Sequence, residues 1–163
     1  MKKIAICLFV LLLTISGCTH RIVRTGYKVN KSDYRNCDIA IKRFMTATDT
    51  LQKLGDIKLG ESGFAVACSE AHALEILKNE GCALHADIVN ITEEIRPDAW
   101  SSCYRCRAEF LKYKNSGTKI ISDETYKSEN VNNRVSQDRS RNTAMAIGAA
   151  VIGFVIGFLL FTK

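Results

Sequence analysis

The chain holds seven cysteines, and the five beyond residue 18 are the side chains best placed to do chemistry: Cys37, Cys68, Cys82, Cys103 and Cys106. Cys103-Tyr104-Arg105-Cys106 is a C-x-x-C. Redox motifs of that kind sit at a helix N-terminus, where the dipole lowers a thiol's pKa. Here the motif opens a predicted strand, where residues three apart point to opposite faces, which argues against a thiol-redox role. Cys82-x-x-His85 followed by Cys103-x-x-Cys106 matches the spacing of a tetrahedral zinc site. Against zinc, no glycine-rich knuckle precedes Cys103. Disulfides are the third use of the same atoms. Cys68 ends one predicted strand and Cys103 begins another, so a Cys68–Cys103 bridge would close the loop that holds the predicted helix, contributing about 3–4 kcal/mol. Among Cys37, Cys82 and Cys106 one further pair can form; Cys82 with Cys106 is expected, because Cys106 faces the apolar side of its strand. An odd count leaves at least one thiol out of intramolecular pairing. Hydrolytic catalysis finds no support. No G-x-S-x-G occurs, Glu93 and Glu94 are neighbours that a strand would turn to opposite faces, and His72 has no partner at fixed spacing. The expectation is a protein that is not an enzyme and holds no metal or cofactor.

The elements that would position these residues follow from periodicity. Ile39 to Met45 reads as a strand. Leu51, Ile57 and Leu59 suggest another, with Gly55 marking a bulge. Phe64, Val66 and Cys68 alternate with smaller residues. Ser69 can cap a helix through Glu80, with Ala73, Ile76 and Leu77 as its buried stripe and Gly81 as a left-handed stop. Asp87 to Thr92 is the next strand and Arg96-Pro97-Asp98 a turn. In Cys103 to Lys112, Tyr104, Cys106, Ala108 and Phe110 share one face while Arg105, Arg107 and Glu109 share the other, as in a half-buried antiparallel strand. The expected fold is a small α+β domain over 37–113, an antiparallel sheet with one helix, stapled by disulfides. Residues 18–36 are polar and basic and read as a tether, and 114–142 as a flexible linker. Residues 143–162 lack strongly polar side chains past Ala144 and are long enough, about 30 Å, to be a C-terminal transmembrane helix. Gly153 and Gly157 would form a G-x-x-x-G face for helix packing and self-association.

At the other end, Lys2 and Lys3 precede an apolar run, Ile4 to Ile15, that is too short to span a bilayer and reads as a secretory signal over 1–17. Ile15-Ser16-Gly17-Cys18 resembles a lipobox, the motif read by bacterial lipoprotein maturation enzymes. That resemblance implies lipidation at Cys18, with acyl chains of the palmitate type as the membrane anchor, and an exported domain in a compartment where disulfides persist. Removing Lys2 and Lys3 from the 23 Lys+Arg leaves 21 against 17 Asp+Glu, a charge of +4. That is too mild to argue for nucleic acid. It supports at most a weak preference for anionic lipid surfaces.

Cys68 before the helix, Leu77-Lys78, Ala86-Asp87-Ile88-Val89 and Cys103-Tyr104-Arg105 together resemble RcsF, the outer-membrane lipoproteins that report envelope stress to a phosphorelay. The resemblance covers about 64–111. It implies a small α/β domain with two disulfides behind a basic disordered tether, and Cys68–Cys103 would be one of those bridges. The second bridge does not carry over, since its positions fall near Ile91 and Glu109. The family also lacks a C-terminal membrane helix. The function expected is that of a non-enzymatic cell-envelope lipoprotein in the outer or inner membrane. Its main domain would lie in the periplasm and act through protein contacts, with outer-membrane barrels or an inner-membrane regulator as partners implied by the resemblance. The alternatives are a periplasmic metal-binding or thiol-redox protein using Cys82, His85, Cys103 and Cys106, and a structural anchor oligomerising through Gly153 and Gly157.

Overall fold

Alternation of buried and exposed side chains marks two central strands, 51–60 and 105–113, while the strand at 88–95 is buried on both faces over its first four residues. The computed structural model describes residues 18–46, 48–61, 65–98, 101–115, 121–141 and 143. Its strands are β1 (Cys18–Thr19), β2 (Arg21–Thr25), β3 (Ala40–Arg43), β4 (Leu51–Gly60), β5 (Ala65–Ala67), β6 (Ile88–Ile95) and β7 (Arg105–Tyr113). Five of them form one sheet in the order β2-β4-β7-β6-β3, and β1 pairs with β5 separately. Helix α1 (Glu70–Ala83) starts at Ser69, whose hydroxyl accepts from the His72 N–H and so satisfies one of the helix's unpaired donors. Its buried positions, Glu70, Ala73, Leu74, Leu77, Glu80 and Gly81, recur at helical spacing. They lie on a core of Ile57 and Leu59 from β4, Val89 and Ile91 from β6, and Ala108 and Phe110 from β7.

The expected fold class needs correction on three counts. First, the sheet is mixed. Neighbours among β2, β4, β7 and β6 are antiparallel, but β3 runs parallel to β6. Cys37, just before β3, is bonded to Cys82 near the end of α1, and β6 leaves the same end five residues later. Both strands start from one place, so they run in one direction. Second, the described residues hold two helices. A second one, α2, covers 128–141, preceded by a 3₁₀ turn at Glu124–Tyr126. Third, no helix among the described residues is long and apolar enough to cross a membrane, so the expected transmembrane helix is not an element of the described fold. Residues 144–162, with Gly153 and Gly157, lie outside the described residues.

Two segments expected to be loose are packed. Of the tether, Arg21–Thr25 is strand β2, paired with Asp56–Gly60 of β4. Of the linker, Tyr126 and Val131 are buried in the main core, and Ser122 and Asp123 cover the outer edge of β3 by accepting from the N–H groups of Ile41 and Arg43. Gly81 does not stop α1, which continues to Ala83, and the left-handed residue is His85 (φ 55°). Gly81 is instead a point of close approach. A Cβ there would stand 2.4 Å from Ile39 Cδ1 and 3.3 Å from the Phe110 ring. Gly55 does mark an irregularity, where the β4–β7 register shifts between Lys53 and Gly55.

Candidate functional site

The cysteine constellation resolves into two bridges and one buried thiol. Cys68 is bonded to Cys103, and Cys82 to Cys37 rather than to Cys106. The Cys68–Cys103 bridge sits where the Tyr104 N–H donates to the Cys68 carbonyl (2.9 Å), drawing the entrance of β7 against the start of α1. Cys106 does face the apolar side, but deep in the core, at 4 % exposure. Burial pushes its thiol up to about 12, with the nearby Glu94 and Glu70 carboxylates adding to the shift. Such a thiol is protonated at neutral pH and inert as a nucleophile. With Cys82 and Cys103 in different bridges, the four-residue zinc constellation of Cys82, His85, Cys103 and Cys106 loses two ligands. No metal-ligating group of three or more residues exists among the described residues.

What the structure assembles instead is a pair of buried carboxylates, one at each end of α1. Glu80 has a fully buried side chain. It accepts from Arg24 Nε (2.8 Å) and Nη2 (2.5 Å), from the Tyr27 hydroxyl (3.0 Å) and from the Tyr34 hydroxyl. Burial alone would raise its pKa. The hydrogen bonds from Arg24, Tyr34 and Tyr27 overcome that and hold the carboxyl below its ordinary value. Every donor comes from 24–34, so Glu80 clasps the N-terminal segment to the domain. Arg35 adds a bond from Nε to the Cys82 carbonyl (3.1 Å), satisfying the C-terminal end of α1.

Glu70, equally buried, faces the other flank. Arg134 of α2 reaches it with Nε at 3.0 Å and Nη2 at 2.5 Å, and Arg96 with Nη1 at 3.1 Å. The network extends to Glu94, held by Arg43 (2.7 Å) and Arg96 (3.3 Å), and to Asp138, held by Arg96 (2.8 Å). Arg141 closes it on the Pro97 carbonyl (2.5 Å). Three carboxylates therefore meet four arginines around one end of the core, Arg43, Arg96, Arg134 and, 3.8 Å from Asp138, Arg141. Pairing from several sides is what lets the buried carboxylates stay charged. The sequence signal for these clasps was present. Glu70 and Glu80 fall in phase with Ala73 and Leu77, so two carboxylates lie on the apolar stripe of α1.

Among the described residues no helix covers the opposite face of the sheet, which is buried at Ile88, Asn90 and Leu111 and open along the rows that follow. Pairing places Val23, Lys58, Arg107 and Glu93 in one row across β2, β4, β7 and β6. Lys58 and Arg107 are directly opposed like charges, an unfavourable pairing that Glu93 offsets by its 2.9 Å contact with Arg107. In the next row Arg21 stands beside Gly60, where an added Cβ would meet nothing within 4 Å. Arg105, on the same face, is held by Asp98 (3.2 Å) and lies near Glu61 (4.0 Å). The Arg21 and Lys58 side chains have no hydrogen bond or ion pair among the described residues. Val23 and Ile95 expose 44 % and 40 % of their surface at the two margins. Among the described residues no strand pairs with the outer edge of β2, whereas the edge of β3 is covered. Open edges and mixed basic and apolar faces are surfaces that take partners.

Glu93 and Glu94 do point to opposite faces, the first out to Arg107 and the second in to Arg43. His72 has an unforeseen neighbour, His20, and the two rings stack. Cys18 begins β1, directly ahead of the packed strand β2. No family model, curated protein or solved structure matches this chain.

Proposed function

We propose that this chain is a non-enzymatic envelope lipoprotein, lipidated at Cys18, whose disulfide-stapled domain works through protein contacts in the periplasm. The observation that carries this reading is the pair of disulfides, Cys37–Cys82 and Cys68–Cys103, which tie the two ends of α1 to β3 and β7. Bridges of this kind persist in oxidising, exported compartments, and Ile15-Ser16-Gly17-Cys18 supplies the route there. The likeness to RcsF draws support from the Cys68–Cys103 bridge, which falls at a matching position, and suggests outer-membrane barrels or an inner-membrane regulator as partners. The contact surface is the open sheet face with the free edge of β2. Unpaired Arg21 and Lys58, flanked by Val23 and Ile95, fit a partner that is acidic with an apolar rim.

Mass spectrometry of protein isolated from membranes without reduction, with thiol alkylation, tests the anchor and the compartment together. An acylated Cys18 at the mature amino terminus and both bridges are expected. An unmodified Cys18, or free thiols at Cys68 and Cys103, would overturn the reading. Charge reversal at Arg21 and Lys58 tests the surface, because it should remove partner crosslinks while leaving the unfolding free energy within about 0.5 kcal/mol of the parent.

A further inference from the structure

His20 lies between the packed N-terminal segment and the first turn of α1, and only 5 % of it is exposed. Its ring stacks on His72 with centroids 5.6 Å apart and planes 8° from parallel. Nε2 stands 3.5 Å from the Ser69 carbonyl, while the buried Nδ1 has no hydrogen-bond partner among the described residues. We propose that the His20–His72 stack is an acid-sensitive clasp, and that proton uptake by His20 releases residues 18–20 from the start of α1.

The reasoning is electrostatic. Neutral imidazoles stack and pack, whereas two imidazolium rings in that position repel. Both rings also sit at the amino-terminal end of α1, where unpaired N–H groups carry partial positive charge. Burial lowers the His20 pKa, the Ser69 carbonyl opposes that, His72 lowers it further and the Gly60 carbonyl opposes again, leaving it below the ordinary histidine value. Among the described residues the groups facing His20 are therefore His72 from α1 and two backbone carbonyls, at Ser69 and at Gly60 of β4. His72 itself faces Glu75 at 3.9 Å, and Glu70 in the same turn is engaged by Arg96 and Arg134. A lowered folded pKa has one sign. The released segment binds the proton more readily, so the clasp is complete above about pH 6.5 and weakens as pH falls through the folded value.

The consequence rests on the proposed lipid at Cys18; the titration does not. Residues 19 and 20 join that anchor to β2, which stays paired with β4, and at roughly 3.3–3.6 Å per extended residue their release would let the domain move some 7 Å from the membrane surface. Acid would then change how far the open sheet face reaches.

Hydrogen exchange of the full chain in detergent, read over 18–20 and 65–72 between pH 7.5 and 5.0 after correction for intrinsic rates, tests the clasp. Protection should fall about tenfold for each unit by which His20 is lowered. His20→Phe, which keeps a ring and takes no proton, should hold protection flat, and His72→Gln should make the fall shallower. A fall in His20→Phe equal to the parent's, or none in the parent, overturns the proposal. Should His20→Phe fail to fold, nitrogen NMR of the parent decides, since a His20 titrating at 6.5 or above refutes it. Cys18→Ser must give the same titration. A parent found without acyl chains would remove the movement from the membrane and leave the clasp standing.

Discussion

Replacing Glu80 by Gln should loosen the N-terminal segment without disturbing the sheet. The carboxylate is fully buried and takes four hydrogen bonds, two from Arg24 and one each from Tyr27 and Tyr34. Gln keeps the volume but removes the charge and turns an NH₂ toward donors. Breaking a buried ion pair from one side costs about 3–5 kcal/mol. Two features lower that here: Arg24 keeps 31 % of its side chain in solvent and can be rehydrated, and a tyrosine hydroxyl can turn to accept from the new amide. The loss expected is about 2–3 kcal/mol, the scale of hydrogen bonds to charged groups. Urea unfolding of the oxidised protein measures it, and hydrogen exchange should show the loss of protection concentrated in 21–36. A change below about 0.5 kcal/mol with unchanged protection there would refute the reasoning. It would mean that strand pairing and the Cys37–Cys82 bridge hold the segment by themselves. The parent has a matching pH dependence. Because the folded Glu80 pKa is depressed, its contribution is complete above the unfolded value of about 4.3 and is lost as pH falls through the folded one. Glu80→Gln should flatten that acid limb.

On the other flank, Arg134→Met should cost about 1.5–3 kcal/mol and expose 123–141 to exchange, because it strips charged hydrogen bonds from buried Glu70; limited proteolysis cutting first near α2 is the check. The double change Cys37→Ser, Cys82→Ser opens a loop of 45 residues and should lower stability by about 4 kcal/mol on the loop-closure formula, read from the urea midpoint. Cys106 should resist iodoacetamide at pH 8 in the folded protein and react fully in urea, since burial holds its thiol near 12; rapid native alkylation would show that the core opens there.

Strand alternation in 105–112, the Ser69 cap, the irregularity at Gly55 and the odd cysteine count were all legible in the amino-acid sequence, because each depends on local geometry: a two-residue period, a side chain reaching back to its own helix, a missing Cβ, a parity. Which cysteines meet was only partly legible. Cys68 and Cys103 flank one loop, but Cys37 reaches Cys82 across residues that carry no mark of nearness, so only the assembled sheet decides it. The mixed direction of β3 follows from that same bridge. The largest gap concerns the flanks. A basic stretch at 18–36 and a polar one at 114–142 look solvated when each charge is judged alone. They are packed because Arg24 and Arg134 find carboxylates that α1 has already buried at Glu80 and Glu70. A lone charge on an apolar stripe is costly, and its partner, drawn from 50 or 60 residues away in the chain, is set by the tertiary fold.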